Sequence, residues 1–362
     1  MSKKYKVGII GATGMVGQRF VTLLADHPWF ELTALAASAR SAGKTYEDAV
    51  GNRWLMDAPI PANVKILTVW DADADVEKVK AAVDFVFCAV DMPKAEILAL
   101  EDKYAKVEIP VVSNNSANRA TPDVPMIIPE LNSAHLKVIE AQRKRLGTKR
   151  GFIAVKSNCS IQSYVPALYP VNERYPIDKI LACTYQAISG AGKTFETWPE
   201  MVDNVIPYIG GAEEEKSERE PLKIWGELKD GVIVPALFPA ITAQCLRVPV
   251  SDGHMAAVYV SFKDVKPSKE EIISIWNNYK SPISKYELPS APKKFLNYFT
   301  EQDRPQTKLD RNLERGMAVS IGRLREDTQY DCKFVCLSHN TLRGAAGGAV
   351  ELAELLCAEH YI

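Results

Sequence analysis

Cys159 stands in the stretch "KSNCSIQ", between a strand-like run, "GFIAVKS" (151–157), and an apolar stretch with helical spacing, "SIQSYVPALYPV". A thiol where a strand hands over to a helix feels the positive end of the helix dipole, which favours the thiolate, the nucleophilic form. The plain alternative is a small apolar side chain buried at a turn. A thiol needs partners to do chemistry, and candidates lie downstream. Gln186 ends a strand-like run before the flexible turn "SGAGK", which holds Ser189 and Gly190. Arg247 sits in an otherwise apolar run, "CLRVPVSDGH", where a guanidinium requires an anion, either a structural carboxylate or one brought by a ligand. His254 follows seven residues later, just past a turn, and suits a thiol–imidazole pair. Arg119 lies in "SNNSANR", at the carboxyl edge of a predicted parallel sheet, where such folds bind ligands.

A second kind of chemistry is written near the start. The run "GIIGATGMVGQRF" places glycines at 8, 11, 14 and 17, between a first strand and a first helix. Such a turn, here Gly11, Thr13, Gly14, Met15 and Val16, lets backbone N–H groups approach a pyrophosphate, with the helix dipole adding favourable potential. The next strand, "FELTALAAS", ends without the acidic residue that binds the ribose hydroxyls of NAD. It ends instead in Ser38, Ala39, Arg40 and Ser41. One planar cation and two hydroxyls suit a 2′-phosphate, so the expected cofactor is NADP(H).

The elements that must position these residues fall into two groups. Up to about residue 150, short Val/Ile/Phe runs alternate with amphipathic segments, the pattern of a parallel, doubly wound sheet covered on both faces. From there the strands lengthen and alternate, as in "IDKILACTYQAIS" and "HMAAVYVSF", which suits an antiparallel or mixed sheet with one covered face. The expected fold class is therefore α/β, a doubly wound, Rossmann-like domain over 1–156 with an α+β domain over 157–340, and the last segment, 341–362, ends in an amphipathic helix that suits either domain. The charged segment "EEEKSEREPLKIWGEL" reads as a largely solvated helix, and "YKSPISKYELPSAPKKF" as an irregular surface segment. Cys183, Cys245, Cys332 and Cys336 fall in strand-like runs and are expected in the core.

Composition sets the outer bounds. The 362 residues are 47% hydrophobic and 25% charged, with a net charge of -1, so neither nucleic acid nor an anionic membrane is proposed as partner. The start "MSKKYKVGII" runs straight into a strand, and no apolar run approaches the roughly 18 residues of a membrane span. The expected location is cytoplasmic. Seven cysteines without regular spacing suit a reducing compartment, and five histidines without a paired motif argue against a metal site.

Taken in order, "GATGMVG", "SARSAGK", "NNSANR", "SNCS", "QAISGAGK", "NVIPYIGGAEEEK", "LRVPVSDGH" and "HNTLRGAAGG" make the chain similar to the aspartate-β-semialdehyde dehydrogenases, in particular the archaeal and fungal subgroup. The resemblance implies a fold like that of glyceraldehyde-3-phosphate dehydrogenase and NADPH-dependent conversion of β-aspartyl phosphate to aspartate semialdehyde and phosphate. The setting would be biosynthesis of threonine, methionine, isoleucine and, in some organisms, lysine. It makes Cys159 the acyl-accepting nucleophile, His254 the acid/base group, and Gln186 the residue beside the thiol. Arg247 would hold the substrate α-carboxylate and Glu213, with Glu214 as its rival, the amino group. Lys216, Arg119 and Asn158 would bind phosphate, while Ser189, Gly190 and Asn340 would join the glycine turn around the cofactor. The resemblance also makes 341–362 the completion of the Rossmann-like domain and 157–340 the catalytic and dimerisation domain, and the apolar strands of that domain suit a homodimer through its sheet, or a dimer of dimers. The competing readings are an N-acetyl-glutamyl-phosphate reductase, whose substrate lacks a free ammonium, and a non-catalytic NADP-sensing protein.

Overall fold

The computed structural model describes residues 4–362, and the first three residues of the opening "MSKKYKVGII" lie outside them. β1 (Tyr5–Ile10), β2 (Phe30–Ala37), β3 (Val69–Asp71), β4 (Phe85–Cys88), β5 (Val111–Ser113), β6 (Met126–Ile127) and β7 (Ile153–Lys156) form one parallel sheet. Its order is β3-β2-β1-β4-β5-β7-β6, so the direction of winding reverses between β1 and β4 and opens a crevice at their carboxyl ends. Strands β4 and β7 are buried at every position, which is why their runs are apolar apart from Lys156 at the end of β7.

The second sheet follows β8 (Ile177–Gln186) and a two-stranded ribbon of β9 (Glu227–Lys229) and β10 (Val232–Val234). It gathers β8 with β11 (Ala240–Arg247), β12 (His254–Phe262), β13 (Leu296–Tyr298), β14 (Val319–Glu326) and β15 (Cys332–Ser338) in the order β11-β8-β12-β15-β14-β13. The pairing is mixed: β8 is parallel to β11 and antiparallel to β12. One face carries buried Ile180, Ala182 and Thr184 of β8 against the helices Ile161–Arg174 and Lys269–Asn277, and Trp276 donates to the Ala167 carbonyl at 2.7 Å. The other face shows Leu181, Cys183 and Tyr185. Cys183 is thus only half-buried, contrary to expectation, because it alternates onto the open face. Cys245, Cys332 and Cys336 are buried, and all seven cysteines are unpaired.

The chain's end returns to the first sheet. Leu352, Leu355 and Leu356 of the helix Gly347–Ala358 share a core with Val7, Phe85 and Phe87. A π-type turn over Leu342–Ala346 precedes this helix, so the expected continuous helix from 341 is broken. The segment "YKSPISKYELPSAPKKF" is irregular apart from one short turn, yet Ile283 and Leu288 anchor it in the same core. The expectation of a largely solvated helix in the acidic segment is corrected: in the helix Glu213–Ile224, Ser217, Glu220, Pro221, Lys223 and Ile224 are buried. Its polar residues find partners inside the protein, with the Lys223 ammonium donating to the carbonyls of Arg119, Thr121 and Val124. Among the described residues no helix is long and apolar enough to cross a membrane.

Arg343, in the π-type turn, joins the parts. Its guanidinium is buried and grips the Glu130 carboxylate with two N–H groups, meets Glu351 at 2.7 Å, and donates to Gln162 of the helix Ile161–Arg174 at 3.2 Å. Burial pushes the Glu351 carboxyl well above its usual range. Removing one partner from such a cluster strands the others without water. Arg343→Leu is therefore expected to cost about 3–5 kcal/mol of unfolding free energy, measured by urea denaturation, whereas a loss near zero would show that the cluster carries no stability.

Candidate active site

The residues gathered around Cys159 arrive from strand ends that the second sheet brings together. Gln186 closes β8, Arg247 closes β11 directly beside it, and His254 opens the antiparallel β12, so three consecutive strands deliver side chains to one edge. Cys159 lies in the turn between β7 and the helix beginning at Ile161, partly exposed in a cleft of about 550 Å³. Its Sγ is 3.4 Å from Nε2 of His254, which is fully buried behind it. The Ala187 backbone N–H donates to Nδ1 of the same ring at 3.1 Å, which leaves the neutral imidazole's proton on Nε2, facing the sulfur. Burial, reinforced by the Arg247 charge, holds His254 well below the usual imidazole range. The pair is therefore neutral imidazole beside sulfur.

The thiol itself is corrected in sign. Burial and then the Glu213 carboxylate push Cys159 above its ordinary value, against the expectation that the helix start favours thiolate, while Lys156, Arg119 and Arg247 pull the other way. Desolvation of a nascent anion outweighs a partial charge at the helix end.

Arg247 is 5% exposed, and Nη1 donates to the Ala187 carbonyl at 2.6 Å. Among the described residues no carboxylate pairs with it, and the guanidinium lines the cleft. Gly190 must be a glycine: a Cβ there would stand 2.8 Å from Arg247 Nη1 and 3.1 Å from the His254 ring. The acidic helix supplies the opposite wall. Glu213 turns into the cleft, accepting from Gln186 Nε2 at 3.2 Å and Asn158 Nδ2 at 3.1 Å, with Lys216 3.7 Å away. Glu214 turns outward to the Gln244 side chain and the Cys245 N–H, so Glu213 is the one positioned to meet a ligand. Arg119 and Lys216 also line the cleft, with Arg119 Nη1 paired 3.0 Å from Glu220 and its Nε without a partner.

Met15 and Val16 reach the same cleft from the first domain, Ser189, Gly190 and Asn340 reach it from the second, and Asn340 donates to Ser189 Oγ at 2.8 Å. The glycine turn is tightly built. Gly11 has φ +89°, and a Cβ there would come within 2.3 Å of the Ala89 carbonyl oxygen. Gly14 caps the helix Met15–Leu24 without a side-chain bond, so the first-turn amides stay available, while Tyr46 Oη and Gln18 hold the carbonyls of Ala12 and Thr13. Ser38, Arg40 and Ser41 lie at the end of β2 next to this turn, outside the lining of the Cys159 cleft. Arg40 is exposed and has no hydrogen-bond or ion-pair partner among the described residues.

Two residues of the site were not singled out in the sequence. Glu220 accepts the Asn158 backbone N–H at 2.6 Å and pairs with Arg119, and it shares a helix face with Glu213 and Lys216 at i, i+3 and i+7, the signal that marks it. Lys156 ends the apolar β7 three residues before the thiol and is 1% exposed. A lysine closing a fully buried strand is the mark there.

Two family models divide the chain: a semialdehyde dehydrogenase NAD binding domain matches residues 6–139, and a semialdehyde dehydrogenase dimerisation domain matches 168–343. The chain is 42% identical to the aspartate-semialdehyde dehydrogenase of Methanothermobacter thermautotrophicus over 97% of its length and 98% of that protein's. It is also 42% identical to that of Saccharomyces cerevisiae over the full length of both. The crystal structure of aspartate semialdehyde dehydrogenase with NADP from Candida albicans superposes with a TM-score of 0.88, at 38% identity, covering 99% of this chain and 100% of that one. With the cleft, the strand-end convergence and the full-length likeness in agreement, the chain belongs to the aspartate-semialdehyde dehydrogenase family.

Proposed function

We propose that this protein is an NADP-dependent aspartate-semialdehyde dehydrogenase that makes aspartate β-semialdehyde from β-aspartyl phosphate through a thioester on Cys159. The observation that carries the reading is Cys159 Sγ at 3.4 Å from His254 Nε2, in a cleft that also presents an unpaired Arg247 and the Glu213 carboxylate. An α-amino acid brings a carboxylate and an ammonium, and these two groups answer it. Glu213 also favours the aspartyl substrate over an N-acetylated one, which carries no ammonium. The division falls near residues 156 and 157, with the thiol at the junction.

The Cys159 thiolate attacks the acyl carbon, and Arg119, Lys216 and Asn158 hold the phosphoryl group as the C–O bond breaks and phosphate leaves. Displacing phosphate by sulfur divides a difficult reduction into two easier steps. Arg247 grips the α-carboxylate in a two-pronged fork and fixes the carbonyl over the sulfur. The site for the cofactor fits NADP(H): open amides at the glycine turn suit the pyrophosphate, Ser38, Arg40 and Ser41 suit the 2′-phosphate, and Ser189, Gly190 and Asn340 meet the end nearest the thiol. When bound, NADPH supplies the hydride that reduces the thioester. The alkoxide left by hydride transfer collapses to the aldehyde and the C–S bond breaks, releasing Cys159 as the thiolate, to which the His254 Nε2–H donates a hydrogen bond. Gln186, held by Thr184 Oγ1 and Glu213, keeps the wall beside the thiol in place. The open face of the second sheet, with Leu181, Tyr185 and Leu246, is the surface through which a homodimer forms.

Phosphate-dependent reduction of NADP+ with aspartate semialdehyde tests the assignment. Cys159→Ser is expected to lose more than about a thousandfold in this assay while still binding NADPH, because a hydroxyl is a far weaker nucleophile than a thiolate. Substantial activity in the serine variant would exclude the thioester. Arg247→Lys should lower kcat/KM by at least about a hundredfold with little change in Tm, since an ammonium cannot copy the fork. A variant that melts early but keeps normal kinetics would make Arg247 structural instead. Arg40→Ala should raise KM for NADPH beyond about tenfold and leave KM for NADH nearly unmoved; equal losses for both cofactors would remove Arg40 from the 2′-phosphate.

A further inference from the structure

Lys156 is a buried cation that the reaction as described does not use. It is the last residue of β7, 1% exposed, and its Nζ donates to the Ser157 carbonyl, in the turn that carries Cys159. Its methylene chain packs 3.6 Å from where a Cβ on Gly348 would stand, which closes it off from the C-terminal helix side. Among the described residues no carboxylate lies within ion-pair distance of Nζ, although burying an ammonium without a counterion is costly. The charged groups facing it are Arg119 and Arg343, which repel it, and Glu220 and Cys159, which attract it. Glu220 is already committed, one oxygen to Arg119 and the other to the Asn158 N–H, and Arg343 is committed to Glu130 and Glu351. The group left to answer Lys156 is the sulfur.

We propose that Lys156 is a positioning residue for this reaction, acting through Cys159 by supplying the counter-charge that lowers the cost of ionising the nucleophile. The inference rests on Cys159 being the nucleophile. Three cations lower the cost of ionising that sulfur, Lys156, Arg119 and Arg247, while Glu213 raises it and the neutral His254 contributes a hydrogen bond but no charge. The substrate changes this balance, because its carboxylate consumes the charge of Arg247 and its phosphoryl group that of Arg119 and Lys216. Lys156 does not line the cleft, so no substrate anion reaches it and its charge stays with the sulfur throughout. Burial brings Lys156 down to about 7, so the ammonium gives up its proton readily unless an anion is beside it. The coupling is reciprocal: a thiolate raises the lysine as the ammonium lowers the thiol, and the two titrate as a pair.

The test is the pH dependence of iodoacetamide labelling, with the modified residue identified by peptide mapping, in the parent protein, Lys156→Met and Lys156→Gln. Methionine removes the charge at nearly the same volume, and glutamine removes it while keeping an N–H donor for the Ser157 carbonyl. Loss of counter-charge moves the thiol to higher pH. In both variants the labelling midpoint should therefore rise by at least about one pH unit, a roughly tenfold slower reaction near neutrality. The acid limb of kcat/KM should shift with it, NADP+ affinity should stay at the parent value, and Lys156→Met should melt no lower than the parent because a desolvated amine is gone. An unmoved midpoint in either folded variant, or a parent-like profile restored by glutamine alone, overturns the proposal. Failure of both variants to fold assigns the amine to structure and overturns it too. A fast-labelling cysteine other than Cys159 in the parent protein is a separate failure, that of the nucleophile itself.

Discussion

The two-oxygen grip of Glu220 is the constraint on which the site depends. One oxygen accepts the Asn158 backbone N–H, fixing the turn that holds Cys159, and the other holds Arg119, which the first domain contributes. A single carboxylate on the acidic helix thus sets the Cys159 turn, Arg119 and the Glu213 wall in one frame. Ser217, on the same helix, extends the clamp through Ser160 Oγ at 2.9 Å and the Tyr164 hydroxyl at 2.6 Å. Because these partners are buried, water does not compete for them, and the turn is rigid where a loop would ordinarily be mobile.

Below that frame the loop carrying Arg119 has its own support. Glu101, buried beside the end of β5, accepts from the side chains of Ser113, Asn115 and Asn118, so three polar side chains of "SNNSAN" meet one carboxylate. Burial pushes Glu101 upward, and its three donors oppose that shift. The same logic recurs at the Arg343 cluster and at Glu354, which takes His27 and Ser290. At these joints buried charge is placed where separate segments must meet, and it is answered by hydrogen bonds from another element. The site differs from these joints in one respect. Arg247 and Cys159 are left incompletely answered within the chain, and that deficit is what a substrate carboxylate and acyl group can fill.

Much of this was legible in the residues. The parallel sheet announced itself through continuous apolar runs, and the second sheet through alternation, because burial on two faces or one imposes those patterns locally. The glycine turn was legible because its spacing is dictated by steric approach: Gly11 has a carbonyl where a Cβ would be. Cys159, Gln186, Arg247 and His254 were each visible as polar residues at strand ends or turns. Glu220 and Lys156 were not, since a glutamate in a run of glutamates, or one lysine after an apolar strand, looks solvated until the partner element is known. Ser38 and Arg40 stand where the end of β2 was expected to put them, although among the described residues no side-chain hydrogen bond marks them.

By itself the sequence determined the two rhythms of burial, the glycine turn and the identity of the groups able to do chemistry, because these follow from local sterics and from side-chain type. Only the tertiary structure decided their working state. The register of β8, β11 and β12 brings Gln186, Arg247 and His254 to one edge. The orientation of one helix turns Glu213 inward and Glu214 outward. Burial makes His254 neutral and the Cys159 thiol reluctant to ionise, reversing what its place before a helix suggested. Ionisation depends on solvent exclusion and on charges contributed by segments far apart in the chain, and neither is written in any local stretch of residues.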